Sequence, residues 1–259
     1  MTNTKFLDLV KIVERLRKDC PWDREQTHDS IKDATLEETY EVLEAIDNKD
    51  YDELKKELGD LLLHVVFHSK IAEENNTFKL DDVIDFIQEK LVRRHPHIFG
   101  TDDANIPAEA GTSAEVKKNW EMIKLSEGRE SVLEGVPKEL PSLQRAYRLQ
   151  EKASKVGFDW EHKDDVWKKV IEEIEEMHES DRAGDKEELE KEVGDVFFSL
   201  VNYARFMGVN PENALRRTNE KFISRFDYVQ KKLKEAGRNP GEATLEEMDV
   251  YWNESKKME

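Results

Sequence analysis

Apolar side chains recur along this chain at intervals of three and four residues, the spacing of one face of an α-helix. Residues 58–66 and 193–201 show this pattern most clearly. No run alternates β-branched and polar residues as a half-exposed strand would. Proline is absent from residues 22–95 and 142–210, so both stretches can hold long helices. The pattern predicts an almost wholly α-helical protein.

Helix-breaking residues cluster in the middle of the chain. Residues 100–113 have the composition of a loop, and residues 128–142 contain two Pro and two Gly. We therefore expect two tandem helical-bundle domains. The predicted bounds are 1–128 for the first domain, 129–141 for a linker and 142–259 for the second.

The two halves repeat one acidic motif at an offset of 135 residues, since 172 − 37 = 135. The motif is Glu37-Glu38-x-x-Glu41, a gap of fifteen residues and Glu57-x-Gly59-Asp60, repeated as Glu172-Glu173-x-x-Glu176 and Glu192-x-Gly194-Asp195. Asp50-x-x-Glu53 and Asp185-x-x-Glu188 keep the same offset and predict capping boxes. Lys90, Arg94, Trp120 and Lys124 match Lys221, Arg225, Trp252 and Lys256 at offsets of 131 or 132. An internal repeat of this kind predicts two copies of one structural unit.

The spacing of the acids predicts that they face one another across a helical hairpin. Glu41 and Glu57 both lie eight residues from position 49, and Glu38 and Asp60 both lie eleven residues from it. Residues equidistant from the turn of an antiparallel hairpin stand at the same height, and residues three apart share a helix face. The four carboxylates should therefore form a square. A second square, centred on Gly184, should contain Glu173, Glu176, Glu192 and Asp195.

Four facing carboxylates repel one another unless a cation lies between them. Oxygen ligands, with no Cys or His clustered beside them, favour Mg²⁺, with Mn²⁺ as a possible substitute. The alternative is a solvated acidic helix face, because glutamate is a common surface residue. Gly59 and Gly194 lie within the apolar helical patterns. They indicate a close approach to the backbone, either by a packed helix or by a ligand.

Composition narrows the classes of partner. The formal net charge is −18, which disfavours direct binding to nucleic acid or to anionic membranes. A small anionic ligand can still bind if a divalent cation lies between it and the protein. The single cysteine excludes an intrachain disulfide and suits a reducing compartment. No apolar run approaches the roughly 20 residues of a membrane span. We expect a soluble, cytoplasmic protein.

Several segments resemble the MazG family of all-α nucleoside triphosphate pyrophosphohydrolases. They are the two acidic motifs, residues 20–28 (CPWDREQTH), 93–99 (RRHPHIF), 135–137 (GVP), 157–160 (GFDW) and 219–226 (NEKFISRF). The resemblance implies Mg²⁺-dependent hydrolysis of nucleoside triphosphates, with broad specificity, to the monophosphate and pyrophosphate. It implies catalytic and metal-binding roles for Glu173, Glu176, Glu192 and Asp195, a matching metal set of Glu38, Glu41, Glu57 and Asp60, and a supporting role for Glu37 and Glu172.

Cations and an aromatic residue on the last helices are candidates for substrate binding. Lys221 and Arg225 lie one helical turn apart, as do Trp252 and Lys256. The cations would offset phosphate charge, and the indole ring would stack on a base. Alternatively, Lys221 and Arg225 pair with nearby acids such as Glu220, and Trp252 belongs to the core.

Two other functions remain open at this stage. A ferritin-like di-metal protein would use Glu-x-x-His motifs. Glu175-x-x-His178 fits, but Leu43 stands at the matching position of the first half. A non-catalytic helical scaffold remains possible for one half. We expect the second half to be the principal catalyst, because its helix after the acidic motifs can run to about Ala236, whereas the matching helix ends at Pro96. We also expect a homodimer, because helix pairs leave apolar faces to be covered.

Overall fold

The computed structural model describes residues 2–101, 109–113, 115, 116, 119, 120, 123 and 131–258. Lys124, half of the predicted 100–113 loop and the first two residues of the predicted linker lie outside these residues. The chain divides into two compact units, Met1–Trp120 and Glu121–Glu259. The described residues contain helices and no strand, which confirms the all-α prediction.

Six helices of the first unit have both ends within the described residues. They are α1 (Thr2–Asp19), α2 (Pro21–Glu25), α3 (His28–Asn48), α4 (Tyr51–Glu74), α5 (Leu80–Arg94) and α6 (Pro96–Phe99). Helices α3 and α4 form a hairpin, and α1 packs against α4. Val13, Ile31, Val66, Phe67 and Ile71 form the core between these three helices.

The second unit repeats the hairpin and adds a longer helix. Its elements are α7 (Ser142–Ser154), α8 (Lys163–Ala183), α9 (Lys186–Phe206), α10 (Pro211–Glu235), a 3₁₀ turn (Pro240–Glu242) and α11 (Leu245–Ser255). Helices α8 and α9 form the hairpin, while α7 packs on α9 and α10, and α11 packs on α10. Val166, Val170, Val201, Val229 and Leu233 are buried.

Each hairpin turn is made by a left-handed residue followed by an aspartate cap. Lys49 has φ 57° and Gly184 has φ 72°. The Asp50 carboxylate accepts the backbone N–H groups of residues 52 and 53 at 3.1 and 3.0 Å, and Asp185 caps α9 in the same way. The predicted reciprocal half of the capping box does not form. Glu53 and Glu188 instead pair with Lys56 and Lys191, three residues further along the helix.

The apolar stripes of the two hairpins are only partly covered within their units. Val66 and Val201 are buried, whereas Leu58, Val65 and Phe197 are exposed. A Cβ atom built on Gly59 or Gly194 would meet nothing within 4 Å among the described residues. Close packing of a helix therefore does not explain these glycines within the described chain. No helix in the described residues is long and apolar enough to cross a lipid bilayer.

Residues 131–141, part of the predicted linker, belong to the second unit. The side chain of Lys152 on α7 is buried, and its Nζ donates to the carbonyl oxygens of Val132 and Glu134 at 3.2 and 2.8 Å. These two bonds hold the start of this segment against α7.

Candidate active site

Each helical hairpin brings three glutamates together. Carboxylate oxygens of Glu38, Glu41 and Glu57 lie within 4.8 Å of one another, and those of Glu173, Glu176 and Glu192 do the same. We call these groups the first and second triplets. Asp60 and Asp195 belong to neither triplet, so the described residues form triangles with a nearby aspartate rather than the predicted squares. The aspartates still act electrostatically, because their charges raise the pKa values of Glu38 and Glu192.

Among the described residues, no cation pairs with the carboxylates of the first triplet. Burial, a hydrogen bond with Glu53 and the charge of Glu41 raise the pKa of Glu57 to about 7. Burial and the neighbouring Glu41 and Asp60 also raise the pKa of Glu38. Glu37, the expected supporting residue, is exposed, and its charge adds to the repulsion at Glu38. Crowded carboxylates with raised pKa values are typical of a site that receives a cation.

The second triplet carries its own cation, which the sequence interpretation missed. Lys169 Nζ lies 2.6 Å from Glu172 and 2.7 Å from Glu173, and these hydrogen bonds raise the pKa of the lysine. Glu172 therefore holds Lys169 beside the triplet. Ala34 stands at the matching position of the first unit. The sequence spacing could have predicted these ion pairs, because Lys169 precedes the two acids by three and four residues on one helix.

Burial also raises the pKa values of the other two members of the second triplet. For Glu176 the next cause is the charge of Glu173, and for Glu192 it is the charge of Glu188. A cavity of about 700 Å³ opens beside this triplet, with Lys169, Glu173 and Asp195 in its wall. The hollow beside the first triplet is smaller, about 200 Å³, and is lined mainly by acidic residues near the hairpin turn.

Two of the four predicted substrate residues, Arg225 on α10 and Trp252 on α11, lie against each other. The Arg225 guanidinium lies 5.6 Å from the ring centroid of Trp252, and the Phe222 ring lies 5.3 Å from it. Trp252 is half-buried rather than part of the core. Lys221 is exposed, and Lys256 Nζ lies 3.0 Å from Asn253 Oδ1. The structure thus groups Arg225 with Trp252 in an aromatic cluster.

A histidine cluster in the first unit was not expected. His28 Nδ1 and His68 Nδ1 lie 2.8 Å apart, and Thr35 Oγ1 lies 2.9 Å from His64 Nδ1 and 3.1 Å from His68 Nε2. Burial lowers the pKa values of His64 and His68. The second unit has Lys163, Val170, Ser199 and Tyr203 at the matching positions. None of these histidines belongs to the first triplet, whose ligand atoms are carboxylate oxygens alone among the described residues.

Comparison with known proteins places both hairpins in one family. The model of the MazG nucleotide pyrophosphohydrolase domain matches residues 26–99 and 162–230. The nucleoside triphosphate pyrophosphohydrolase/pyrophosphatase MazG of Thermotoga maritima is 44% identical over 256 residues, which cover 97% of this chain and 95% of that protein. The nucleoside triphosphate pyrophosphohydrolase of Escherichia coli strain K12 is 43% identical over 260 residues, or 97% of each chain. Because the two matched segments contain both triplets, this chain belongs to the MazG nucleotide pyrophosphohydrolase family.

Proposed function

We propose that the second unit is the principal catalyst of this nucleoside triphosphate pyrophosphohydrolase and that its activity depends on Mg²⁺. The chain hydrolyses a nucleoside triphosphate to the monophosphate and pyrophosphate, as the names of its relatives and its family indicate. The observation that supports the second unit is the large cavity that shares Glu173 and Asp195 with the acidic site. The hollow of the first unit is less than half that size and mainly acidic, so it offers less room to a nucleoside.

The donor set of both triplets fits a hard divalent cation. All three ligands are carboxylates and their oxygens converge within 4.8 Å. Carboxylates are ligands that Mg²⁺ accepts, with Mn²⁺ as a possible substitute. We assign Asp195 and Asp60 to the same metal sets, because their charges already act on the triplets. Mg²⁺ bound there would offset phosphate charge and make the attacked phosphorus more electrophilic.

The protein's own groups then bind the substrate and handle its protons. Lys169 is a cation in the cavity wall, where it can pair with a phosphate oxygen once Glu172 and Glu173 release it. Burial raises the pKa values of Glu176 and Glu192, which makes each a better proton acceptor for an attacking water than an exposed carboxylate. We retain Lys221, Arg225 and Lys256 as cations for phosphate charge and Trp252 as a stacking residue.

The non-enzymatic and iron-binding alternatives have less support. A ferritin-like site needs histidine among its ligands. In the described residues both triplets contain glutamate alone, and the candidate His178 belongs to neither. A low iron content of the purified protein would agree with this interpretation.

We also propose a cytoplasmic homodimer that does not bind nucleic acid directly. The exposed apolar side chains of the hairpins, such as Leu58, Val65 and Phe197, support association with a second copy. The acidic net charge supports the absence of direct nucleic-acid binding, and the single cysteine supports a cytoplasmic location. Light scattering tests the dimer, and a monomer at micromolar concentration would refute it.

A pair of full-length variants tests which unit is catalytic. Glu173→Gln/Glu176→Gln should lose most of the pyrophosphate release from ATP, whereas Glu38→Gln/Glu41→Gln should keep most of it. Each substitution removes charge with little change in volume, and circular dichroism checks that both variants fold. The opposite pattern would assign catalysis to the first unit. Release of a nucleoside diphosphate and orthophosphate would refute the reaction itself.

A further inference from the structure

The histidine cluster of the first unit lies at the open end of its hairpin. His28 begins α3, and His64 and His68 lie one turn apart in the second half of α4. His28 and His68 lie at nearly equal distances from the turn at Lys49, so they face each other across the two helices. The first triplet lies nearer the turn. The cluster is therefore a second polar contact between the same two helices.

The hydroxyl proton of Thr35 determines where the histidines carry their hydrogens. Thr35 Oγ1 donates to the Ile31 carbonyl oxygen at 3.0 Å, and a carbonyl oxygen can only accept. Because the hydroxyl has no second proton, His64 Nδ1 and His68 Nε2, at 2.9 and 3.1 Å from it, must both donate to it. A neutral His68 then accepts at Nδ1, and His28 donates to it from its own Nδ1. One arrangement of protons satisfies all of these contacts.

The contact between His28 and His68 has the geometry of a hydrogen bond. The two Nδ1 atoms are 2.8 Å apart, and the ring planes differ by 9°. The ring centroids are 5.1 Å apart, which is the nitrogen–nitrogen distance plus about one ring diameter. Both rings therefore lie nearly in one plane with their nitrogens pointing at each other, as a linear N–H···N bond requires. Two ligands of one metal ion would instead point at a third position.

This bond tolerates a proton on one ring but not on the other. His28 is exposed, and a proton taken up at its Nε2 leaves the donating Nδ1–H in place. A proton taken up by His68 goes to Nδ1, so two N–H donors would face each other at the same contact. Burial and the charges of His28 and His64 lower the pKa of His68 below its ordinary value of 6.5, in agreement with this conflict.

Among the described residues, no carboxylate charge acts on His68. The charges that act on it are those of His28 and His64, and Asp60 acts on His64 instead. Charged groups on the neighbouring helices have other partners: Lys70 pairs with Glu14 of α1, Arg17 of α1 with Glu74, Asp29 with Lys32 on α3, and Asp82 of α5 with the Lys79 backbone N–H. A second proton on the histidine pair is therefore relieved by separation of the two rings.

We propose that His28 and His68 form a pH-sensitive clasp, which holds the first turn of α3 against α4 at neutral pH and opens in mild acid. Because the folded-state pKa of His68 is lowered, the stability from the clasp is present above pH 6.5 and is lost as pH falls through the folded value. The clasp thus makes the open end of the first hairpin sensitive to acid.

The second hairpin provides an internal control. Lys163 and Tyr203 stand at the positions that match His28 and His68. The Tyr203 ring packs on Trp167, with ring centroids 5.0 Å apart. Neither a tyrosine nor a tryptophan titrates in mild acid. Acid should therefore loosen the open end of the first hairpin and leave that of the second unchanged.

Nitrogen NMR of the full-length protein with labelled histidines tests the proton arrangement. At about pH 8 the imidazoles are neutral. His28 and His64 should then carry their hydrogen at Nδ1, and His68 should carry it at Nε2. Single His→Gln variants assign the signals. A neutral His68 with its hydrogen at Nδ1 would overturn the proposal, because it could not accept from His28.

Amide hydrogen exchange in EDTA, corrected for the intrinsic effect of pH, measures the opening. Between about pH 8 and about pH 5.5, residues 28–35 and 64–71 should lose protection several-fold. The matching residues 163–170 and 199–206 should keep theirs. Unchanged protection in the first hairpin, or an equal loss in both hairpins, would refute the clasp.

His28→Gln separates the clasp from simple burial of His68. The amide at position 28 can turn its oxygen toward a protonated His68, so most of the loss of protection in acid should disappear. The variant should fold, because His28 is exposed. His178→Gln, at an exposed position of the second hairpin, is the control and should behave as wild type. The proteins are compared at the same pH, so the titration of Glu57, which has the opposite sign, cancels. A wild-type loss of protection in His28→Gln would assign the effect to burial alone and overturn the proposal.

Discussion

Replacing Lys169 by methionine removes the only cation within 3 Å of the second triplet among the described contacts, while keeping most of the side-chain volume. The free energy of unfolding should fall, because the nearly buried Glu173, with a side chain 10% exposed, loses its partner. Removing one member of a fully buried ion pair costs about 3–5 kcal/mol, and exposed pairs contribute about 0.2–1 kcal/mol. Lys169 is 38% exposed, so solvent screening places the expected loss at about 1–2 kcal/mol.

For a chain of this size that loss corresponds to a fall in Tm of roughly 3–6 °C. The measurement is thermal unfolding in EDTA and again in millimolar Mg²⁺. In Mg²⁺ the difference between Lys169→Met and wild type should shrink, because a bound cation replaces the lost positive charge.

The neighbouring Lys168 provides the matched control. It pairs with Asp165 at 2.8 Å and is 77% exposed, so Lys168→Met should leave stability close to the wild-type value in either condition. The reasoning is refuted if Lys169→Met unfolds at the wild-type temperature in EDTA, or if Mg²⁺ stabilises both lysine variants equally.

Three further predictions concern the two hairpins. Because the folded-state pKa of Glu57 is about 7 and its unfolded value is near 4.5, the stability that it contributes in the metal-free protein should be present below pH 4.5 and lost as pH rises through 7. Glu57→Gln should therefore flatten the fall in Tm between pH 5 and 8, and an unchanged slope would show that another group titrates. Lys49→Gly should stabilise the protein by about 0.5–1 kcal/mol in urea unfolding, because glycine adopts the left-handed turn without strain; a loss of stability would contradict this. Glu192→Gln should lower pyrophosphate release at least about 100-fold with unchanged helical content, and near-normal turnover would remove Glu192 from the catalytic set.

The repeat and the hairpin spacing were sufficient to predict the most informative part of the site. Equal distances from Lys49 and from Gly184 placed Glu41 beside Glu57 and Glu176 beside Glu192, because the height of a residue in an antiparallel hairpin depends only on its distance from the turn. The same argument placed Asp60 and Asp195 too close to the glutamates, since equal height does not fix the direction in which a side chain points.

Other features depended on contacts between distant segments. The cavity combines the 157–160 loop with α7 and α9, and no local pattern indicates that Gln150 lines the same cavity as Glu173. The exposed part of the apolar stripes could not be predicted either. A sequence pattern shows which side chains avoid water, but does not show whether their cover comes from the same chain or from another copy.

The geometry of each triplet constrains the number of residues in its hairpin turn. Each added residue in the turn would advance one helix by about 1.5 Å and rotate its side chains by about 100° relative to the facing helix. A single insertion between Glu41 and Glu57 would therefore carry Glu57 off the shared face, whatever residue was inserted. Substitution at the turn is tolerated, because one copy uses Lys49 and the other Gly184 for the same left-handed conformation. Insertions and deletions in this short stretch are thus expected to abolish metal binding even though it is an exposed turn, the kind of place where length usually varies most freely.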